Sequence, residues 1–417
     1  MKIWLINQYN MPPEYGHLNR HYNFGKYLKR MGHDPTVFVG SFLHNTKIQM
    51  IKDRSYIKKY ENIDYPYYFI KTCDYSKSKL KRVYAMFEFY RNLLKSVKCL
   101  ERPDVILGSS AHPLAAIAAI KLSKKFGCQS IVEVRDLWPE SFIAYGIVNK
   151  NNPILRLMYA GEKWIYNNAD KLVFTMKGGR DYIIEKGWDK ENGGPVDINK
   201  VYHINNGVDL EVFNYNKEHY QLIDKDLDNP DTFKVVYTGS IRLVNNVKSI
   251  VDAAVEIKKL GVKNVKFLIY GDGNDKIPLE KYCKQNDIDN VVFKGFVDKR
   301  NIPYILSKSD INIFHFEQNK IKKYGASLNK MFEYFASGKP TLSDCEFGYD
   351  LIKAYQCGIV IDNANAEDIA KEIIALTRMS PNEYSKLCIN SLRAAKDYDF
   401  KNLTNNLVHL INEGNGI

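Results

Sequence analysis

The stretch YGASLNKMFEYFASGKP, residues 324–340, predicts a short polar loop, an amphipathic helix and the end of that helix. Gly338 is typical of the position just after a helix C-terminus, and the proline two residues later cannot continue the helix. Apolar runs at 310–314 and 340–343 flank the segment and are typical of buried strands. The segment therefore reads as the helix of a βαβ unit, the building block of a parallel sheet.

The start of this helix carries a candidate diphosphate site. Ser327 is a good N-cap residue, and Lys330 and Glu333 are three residues apart, on one side of the first turns. Free amides at a helix N-terminus and the Lys330 ammonium suit a diphosphate, and Glu333 can accept hydrogen bonds from ribose hydroxyls. The alternative is a solvent-facing ion pair on an ordinary capped helix.

The same alternation of apolar runs and helical patterns occurs twice, which predicts two tandem parallel-sheet domains. The boundary is predicted near Val208, because the following stretch 214–232 is polar and acid-rich, as a linker or an exposed excursion is. The predicted strands are 2–9, 36–40, 104–107, 130–134, 171–175 and 201–204 in the first domain, and 233–237, 265–270, 290–293, 310–314, 340–343 and 358–361 in the second. If the two domains face each other, ligands are expected in the cleft between them, outside the carboxyl ends of the strands.

Length and composition fit this organisation. A chain of 417 residues with 45% hydrophobic residues is sufficient for two cores and excludes wholesale disorder. The seven cysteines are scattered and never spaced Cys-x-x-Cys, so we expect reduced thiols rather than a disulfide framework or a zinc site. With no signal-peptide pattern and no long uninterrupted apolar run, a cytoplasmic protein without a membrane-spanning helix is expected.

The positive charge lies in the first half of the chain. Residues 1–200 hold 32 Lys and Arg against 19 Asp and Glu, and the whole chain carries +12. Such a basic half attracts nucleic acid, an anionic membrane or a phosphorylated substrate. Residues 77–100 combine basic side chains with apolar ones at helical spacing, as interfacial membrane helices do. The alternative is a surface helix that packs this apolar face on a core. The apolar residues are Leu80, Val83, Tyr84, Phe87, Tyr90, Leu94 and Val97.

Two loops of the first half place polar side chains after predicted strands. His112 follows the strand at 104–107 and can polarise a hydroxyl or carry a proton near neutral pH, with a buried turn histidine as the alternative. Asp136 follows the strand at 130–134 within RDLWPES, where an ion pair around a buried Trp138 is the alternative. We therefore predict that both are catalytic residues, His112 as the polar group that acts on a substrate hydroxyl and Asp136, less directly, as a group that orients that substrate.

Three strands of the second half end in glycine-containing turns. TGS, GDG and KGF place Gly239, Gly271 and Gly295 where the backbone can closely approach a base or phosphates. Neither G-x-G-x-x-G nor G-x-x-x-x-G-K-S/T occurs, so nicotinamide redox chemistry and P-loop hydrolysis lack their usual motifs. Alternating aspartates at 224–228, 287–289 and 397–399 do not follow convincing strands, so we predict solvated acidic loops and no required metal.

The order TGS, GDG, KGF and SLNKMFEYFASGKP, preceded by RDLWPES and NNGVD (205–209), resembles the family 4 retaining glycosyltransferases, in particular their bacterial O-antigen and capsule branch. The resemblance covers nearly the whole chain. It implies the GT-B architecture of two facing Rossmann-like domains, with an acceptor-binding N-terminal domain at 1–208 and a nucleotide-sugar-binding domain at 209–399. A C-terminal helix at 400–417 is then expected to pack back on the first domain.

The resemblance also implies a donor site. Lys330 is expected to bind the diphosphate, Glu333 the ribose, and Phe296 with the Gly271 loop the base. The complete set of implied donor-binding residues is Gly16, Gly239, Asn245, Gly271, Phe296, Asn329, Lys330 and Glu333. UDP is the expected nucleotide, with GDP as the alternative, and neither a cofactor nor a metal is required.

The chain departs from the family pattern in three places. Many members carry a Glu-x7-Glu pair, but Gly325 stands eight residues before Glu333. Ser240 and Asn245 stand where many relatives have an Arg and a Lys, which leaves Arg242 or Lys248 as substitutes. The first-loop glycine pair of many relatives is here Gly16 with His17.

The preferred function is transfer of a hexosyl or N-acetylhexosaminyl group, with retention, from a nucleotide diphosphate sugar to a lipid-diphosphate-linked saccharide in cell-surface polysaccharide biosynthesis. Residues 77–100 then hold the protein peripherally on the anionic inner face of the cell membrane. The alternatives are a sugar-nucleotide epimerase of the same fold and a non-catalytic transferase-like partner, the latter motivated by Gly325. Nucleic-acid binding is disfavoured because no base-reading motif accompanies the basic residues.

Overall fold

The computed structural model describes residues 1–316 and 319–413. By their contacts, these residues form two compact units, one of residues 1–205 with the chain from 403 onward, and one of residues 206–402. The sequence placed the boundary near Val208. We refer to the two parts as the N-terminal unit and the C-terminal unit.

The N-terminal unit is built around an eight-stranded sheet in the order β3-β4-β2-β1-β5-β6-β7-β8. All neighbouring strands are parallel except the pair β3 and β4. Its strands are β1 (Lys2–Ile6), β2 (Asp34–Gly40), β3 (Ile57–Lys59), β4 (Tyr67–Ile70), β5 (Val105–Ser109), β6 (Gln129–Val134), β7 (Lys171–Phe174) and β8 (Val201–His203). Its helices are α1 (Arg20–Arg30), α2 (Lys79–Ser96), α3 (Pro113–Phe126), α4 (Glu140–Ala144), α5 (Ile154–Asn168) and α6 (Gly179–Glu185).

The C-terminal unit contains a six-stranded parallel sheet in the order β11-β10-β9-β12-β13-β14. Its strands are β9 (Phe233–Thr238), β10 (Val265–Tyr270), β11 (Val291–Gly295), β12 (Ile311–Phe314), β13 (Thr341–Ser343) and β14 (Gly358–Val360). Its helices are α7 (Leu210–His219), α8 (Val247–Lys259), α9 (Lys276–Gln285), α10 (Ile302–Lys308), α11 (Asn329–Ala336), α12 (Leu351–Tyr355), α13 (Ala366–Thr377) and α14 (Pro381–Asp397). Apolar side chains from both faces of the sheet form its core.

A last helix, α15 (Phe400–Asn412), begins in the C-terminal unit, and from residue 403 onward it belongs to the N-terminal unit. The Lys171 ammonium at the start of β7 donates to the main-chain carbonyls of Leu410 and Ile411, which lie in the last turn of this helix. A cation at a helix C-terminus satisfies carbonyls that have no partner within the helix.

All twelve predicted strands are present, but the prediction missed β3 and β4. Both are short, and β3 is an antiparallel edge strand whose residues include Lys58 and Lys59, so it gives no clear apolar pattern. Strand β4 has the sequence YYFI, with Tyr67 and Phe69 fully buried, and this strand-like signal was overlooked. The two strands extend the sheet beyond β2.

The predicted apolar face of α2 packs on the core only in its C-terminal part. Val97, just after the helix, is buried, and Tyr90 and Leu94 pack against the same cluster. Leu80, Val83, Tyr84 and Phe87 are all exposed, so the prediction of a covered face is wrong for them. In their place the side chains that pack inward are Ala85, Met86, Phe89 and Leu93.

Candidate functional site

The three predicted turn glycines meet at one edge of the C-terminal sheet. Because β11, β10 and β9 are neighbours, the Gly239 amide donates to the Tyr270 carbonyl at 3.0 Å and the Gly271 amide to the Gly295 carbonyl at 2.8 Å. Gly239 and Gly271 have φ of +146° and +148°, and a Cβ on Gly271 would lie 1.8 Å from the Gly239 carbonyl oxygen. Only glycine allows this close approach of the two loops.

Lys330, in the first turn of α11, reaches this glycine edge. Its Nζ lies 3.0 Å from the position that a Cβ on Gly239 would occupy, 3.3 Å from the Tyr237 hydroxyl and 4.5 Å from the centre of the Tyr237 ring. Desolvation lowers the pKa of the half-buried Lys330 to about 8, although the Glu333 charge acts in the opposite direction. The ammonium is thus a poorly solvated cation beside a glycine-lined backbone edge.

Helix α11 is anchored by Tyr334, one turn after Lys330. The Tyr334 hydroxyl is fully buried, accepts a hydrogen bond from the Thr238 amide at 3.1 Å and donates to the Ile313 carbonyl at 3.3 Å. This side chain therefore joins α11 to the ends of β9 and β12. It fixes the position of Lys330 relative to Gly239.

The start of α11 differs from the sequence prediction in its cap. Leu328, not Ser327, is the N-cap residue, and no side chain caps the helix. The Ser327 hydroxyl instead accepts a hydrogen bond from the Asn206 amide at 3.3 Å, and the Asn206 side chain donates to Oδ1 of Asn329. Asn329, which the sequence predicts to bind the nucleotide-sugar donor, thus holds the NNGVD motif against the helix.

Glu333 is half-buried, and desolvation raises its pKa while the charges of Lys299 and Lys330 lower it. Lys299 is an exposed residue just after β11 that the sequence analysis did not select. Phe296, predicted to contact the base, follows β11 with 81% of its surface exposed. An exposed phenylalanine at a strand end is available to stack on a flat ring.

The loop after β9 is folded by Asn245. Its side-chain amide donates to the Ser240 carbonyl at 2.8 Å and to the Ser240 hydroxyl at 2.7 Å, so this predicted donor residue shapes the loop. Of the two basic substitutes, Lys248 is paired with Asp252 at 2.6 Å on the exposed face of α8. Arg242 is exposed in the loop itself and is the better placed of the two.

Gly325, at the position where the family resemblance led us to expect a carboxylate, is required by the backbone. Its φ is +101°, which residues with a side chain rarely adopt, and its amide donates to the Lys322 carbonyl at 3.0 Å. The same carbonyl accepts from the Gly348 amide at 2.9 Å. A glutamate at this position would therefore strain a loop that is attached at two points.

A histidine–aspartate pair at the same sheet edge was missed. His315 follows β12, Asp344 follows β13, and Nδ1 of His315 lies 2.5 Å from Oδ2 of Asp344. The Ser249 hydroxyl donates to the same oxygen at 3.1 Å. Because β12 lies beside β9, this pair neighbours the Gly239 loop. Both residues directly follow predicted strands, which is the signal that would have found them.

The prediction of a solvated acidic loop at 224–228 is wrong for its first two aspartates. The Lys294 ammonium lies 2.5 Å from Asp224 and 2.7 Å from Asp226, and Lys266 lies 3.0 Å from Asp226. The Tyr270 hydroxyl donates to Asp224 at 3.0 Å. The segment thus packs against β10 and β11 as a partly buried ion-pair network. Among residues 1–316 and 319–413, no cluster of His, Cys, Asp and Glu could hold a metal.

His112 is the N-cap residue of α3, and its ring is fully buried. It contacts Tyr9 and Phe89 edge-on, at centroid distances of 5.7 and 6.1 Å, and neither ring nitrogen has a hydrogen-bond partner. Desolvation, together with the charge of Arg82, lowers the pKa of His112 to about 3. The imidazole is therefore neutral at physiological pH in this conformation, and its role toward an acceptor stays a prediction.

The other two candidates of the N-terminal unit lie in loops. Gly16 ends a short turn in extended backbone, and a Cβ there would meet only the flexible Met11 side chain, at 2.6 Å from its sulfur. Asp136 is exposed after β6, beside Arg135, and lines a cavity between α3 and α5. Desolvation by the neighbouring protein atoms raises the pKa of Asp136, and the Arg135 charge partly offsets this increase.

Glu162 of α5 has its carboxylate in the interior of the N-terminal unit. The hydroxyls of Tyr166 and Tyr182 donate to its two oxygens at 2.7 and 2.8 Å. Desolvation raises the pKa of Glu162 to about 8 despite these bonds. The folded state therefore holds a proton that the unfolded state releases above the ordinary glutamate pKa of about 4.3.

We expect this proton to make stability fall as pH rises from about 4 to about 8. Glu162→Gln removes the titration, so the variant should gain on the order of a few kcal/mol relative to wild type between pH 5 and pH 8.5. Urea unfolding of both proteins at the two pH values measures this difference. Equal pH dependence of the two proteins would contradict it.

The chain thus joins two α/β units, each built around a largely parallel sheet, and one of them carries an ammonium at its glycine-lined strand edge. Two such units in one chain are the architecture of GT-B glycosyltransferases. Two family models match the chain. "Glycosyltransferase Family 4" matches residues 19–212, and "Glycosyl transferases group 1" matches residues 221–393. The chain belongs to the family 4 glycosyltransferases.

Named relatives agree with this assignment. The chain is 23% identical over 219 residues to the putative colanic acid biosynthesis glycosyl transferase WcaI of Escherichia coli K12, covering 51% of this chain and 50% of that protein. It is 25% identical over 221 residues to the putative teichuronic acid biosynthesis glycosyltransferase TuaH of Bacillus subtilis 168, again covering 51% and 50%. The matched part thus spans about half the length of these relatives.

Among solved structures, the Anabaena protein Alr3699/HepE in complex with UDP has the same fold. Its TM-score is 0.66 at 13% identity, with 99% of this chain and 100% of that chain covered. At this identity the likeness supports the fold alone. No helix within the described ranges, 1–316 and 319–413, is long and apolar enough to cross a membrane.

Proposed function

We propose that the protein is a retaining glycosyltransferase that moves a hexosyl or N-acetylhexosaminyl group from a UDP-sugar to a lipid-diphosphate-linked saccharide during synthesis of a cell-surface polysaccharide. The observation that carries this proposal is the Lys330 ammonium, desolvated beside the Gly239 edge at the start of α11. The names of WcaI and TuaH support the polysaccharide, and the HepE complex supports UDP as the nucleotide.

In this proposal the protein acts mainly on the leaving group. The bond from the anomeric carbon to the diphosphate breaks, and the diphosphate oxygens gain negative charge. Lys330 and the amides at the start of α11 stabilise that charge without a required metal. Glu333 holds the ribose and Phe296 contacts the base. The acceptor hydroxyl attacks from the face that the diphosphate leaves, which retains the anomeric configuration, and its proton passes to the departing diphosphate oxygen.

The direct test is a transfer assay with UDP-sugars and short-chain lipid diphosphate saccharides, in EDTA and with magnesium. We expect product in both buffers for wild type, and very little for Lys330→Ala. NMR of the product establishes the anomeric configuration. A donor epimerised without transfer would favour the epimerase alternative, and UDP binding without any turnover would favour a non-catalytic partner, which Gly325 motivates.

The proposed membrane surface is the exposed stripe of α2, formed by Leu80, Val83, Tyr84 and Phe87. Leu80 is 82% exposed and Phe87 is 56% exposed, and the positions follow the spacing of one helix face. Exposed basic residues surround the stripe, namely Lys77, Lys79, Lys81, Arg82, Arg91 and Lys95 in and before α2. An apolar stripe between cations suits the interface of an anionic bilayer.

We expect the double variant Leu80→Ser, Phe87→Ser to lose at least tenfold in binding to vesicles with anionic lipid, because burial of each side chain contributes ~1–2 kcal/mol. Co-sedimentation with phosphatidylglycerol-containing vesicles measures this. The matched control is Ile223→Ser, Ile389→Ser, since these side chains are also exposed but lie in the C-terminal unit. Equal binding of the two double variants would exclude the stripe as the membrane surface.

A further inference from the structure

The N-terminal unit contains a cavity of about 220 Å³ between α3 and α5. This volume is many times the minimum that holds one water molecule, so it can hold a short hydrocarbon segment. The function proposed above assigns nothing to it. Its lining residues are Ser110, Pro113, Ile117, Asp136, Trp138, Met158, Gly161, Glu162, Ile165 and Tyr166.

The walls of the cavity are suited to hydrocarbon. Most of the lining is apolar, and the Glu162 carboxylate already accepts from two tyrosine hydroxyls. The remaining polar residues, Ser110 and Asp136, follow the adjacent strands β5 and β6, so they lie at the carboxyl edge of the sheet. A sugar inside would leave several hydroxyls without partners, at a large cost. An alkyl or isoprenyl chain would not.

Gly161 keeps one wall of the cavity open. It lies in the middle of α5, where glycine is less favourable than alanine by roughly 1 kcal/mol. A Cβ built on it meets no atom within 4 Å, apart from the backbone of its own helix, so packing does not require glycine here. The open space beside Gly161 is therefore available to a ligand.

The apolar lining continues to the outside along α5. Ile154, Met158, Gly161 and Ile165 follow the spacing of one helix face, and Ile154 is exposed at the start of the helix. Leu157 beside them is 74% exposed. Arg135 directly precedes the lining residue Asp136 in the loop after β6. An apolar cavity with an arginine next to its polar end in the chain suits a hydrocarbon that ends in phosphate.

We propose that this cavity binds the hydrocarbon segment next to the diphosphate of the lipid acceptor, with Arg135 near the phosphates. The inference rests on the proposed function, because it supposes that the acceptor is lipid-linked. In this proposal the N-terminal unit recognises the lipid as well as the saccharide, so acceptors without a hydrocarbon chain should bind poorly.

Calorimetric titration with geranyl diphosphate as the probe tests the proposal. Gly161→Leu should fill the cavity and weaken binding of the probe at least tenfold. Gly161→Ala is the matched control, because it changes the same helix position without filling the cavity, and it should bind as wild type does. Inorganic diphosphate should bind wild type at least tenfold more weakly than geranyl diphosphate. UDP affinity should be the same in all three proteins.

Equal binding of geranyl diphosphate to wild type and Gly161→Leu would overturn the proposal, as would equal binding of inorganic and geranyl diphosphate. If Gly161→Leu does not fold, crosslinking of wild type with a diazirine-labelled geranyl diphosphate tests the same proposal. The crosslinks should fall within 110–117 or 158–166. Crosslinks confined to other residues would refute the proposal. Failure here with UDP binding and sugar transfer intact would remove the cavity assignment and leave the proposed function standing. Loss of UDP binding in wild type would be a failure of the proposed function itself.

Discussion

Lys330→Ala is expected to weaken UDP binding about a hundredfold, since a charge-assisted contact to phosphate contributes ~2–3 kcal/mol. The reason is structural. The Lys330 ammonium is held beside Gly239 by α11 and by the Tyr237 hydroxyl. Calorimetry on the purified variant measures the loss, and a change below threefold would contradict the assignment.

The pH dependence of UDP affinity separates charge from shape at this position. The pKa of Lys330 is about 8 in the free protein, and a diphosphate binds the charged form. Affinity should therefore be high at pH 7 and fall as the pH rises through 8 to 9. Lys330→Arg keeps its charge over this range, so its affinity should change less with pH, and Lys330→Ala should show no fall in this range.

The second large effect is expected for Gly271→Ala. The added methyl would meet the Gly239 carbonyl oxygen at 1.8 Å, and alanine is strained at a φ of +148°. We expect a loss of ~3 kcal/mol or more in the free energy of unfolding, together with loss of UDP binding, because the two strand-end loops must separate. Urea unfolding and UDP titration measure the two effects.

Gly161→Ala is the matched control for this variant. Its methyl meets nothing within 4 Å outside its own helix, and α5 is helical at this position, so we expect a gain of ~0.5–1 kcal/mol. Similar stabilities of the two alanine variants would show that the contact between the Gly239 and Gly271 loops is not required.

The sequence predicts those parts of this fold that depend on local pattern. Apolar runs locate all twelve predicted strands, and the helix ends at Gly127 and Gly338 follow from the glycines there. The edge strand β3 carries little apolar pattern of its own, and it is a strand because it pairs with β4. Strand β4 in turn pairs with β2, with Val37 beside Tyr67, and this is a long-range contact that a short window cannot contain.

The candidate site divides in the same way. Lys330, Glu333 and the turn glycines are recognisable because a helix start and three strand ends have local signatures. His315, Asp344 and Lys299 come from three different loops, and they meet this edge only through the order of the strands. The outward face of α2 depends on which side chains α3 and the sheet accept, and the sequence of α2 alone does not determine that.

The most direct test of the account is calorimetric titration of UDP and GDP into the wild-type protein and Lys330→Ala, in EDTA and again with magnesium. We expect UDP to bind wild type with micromolar affinity in both buffers, and we expect this binding to be lost in Lys330→Ala. If neither nucleotide binds wild type in either buffer, the donor site built on Gly239, Gly271 and Lys330 is wrong, and the non-catalytic alternative becomes the better explanation.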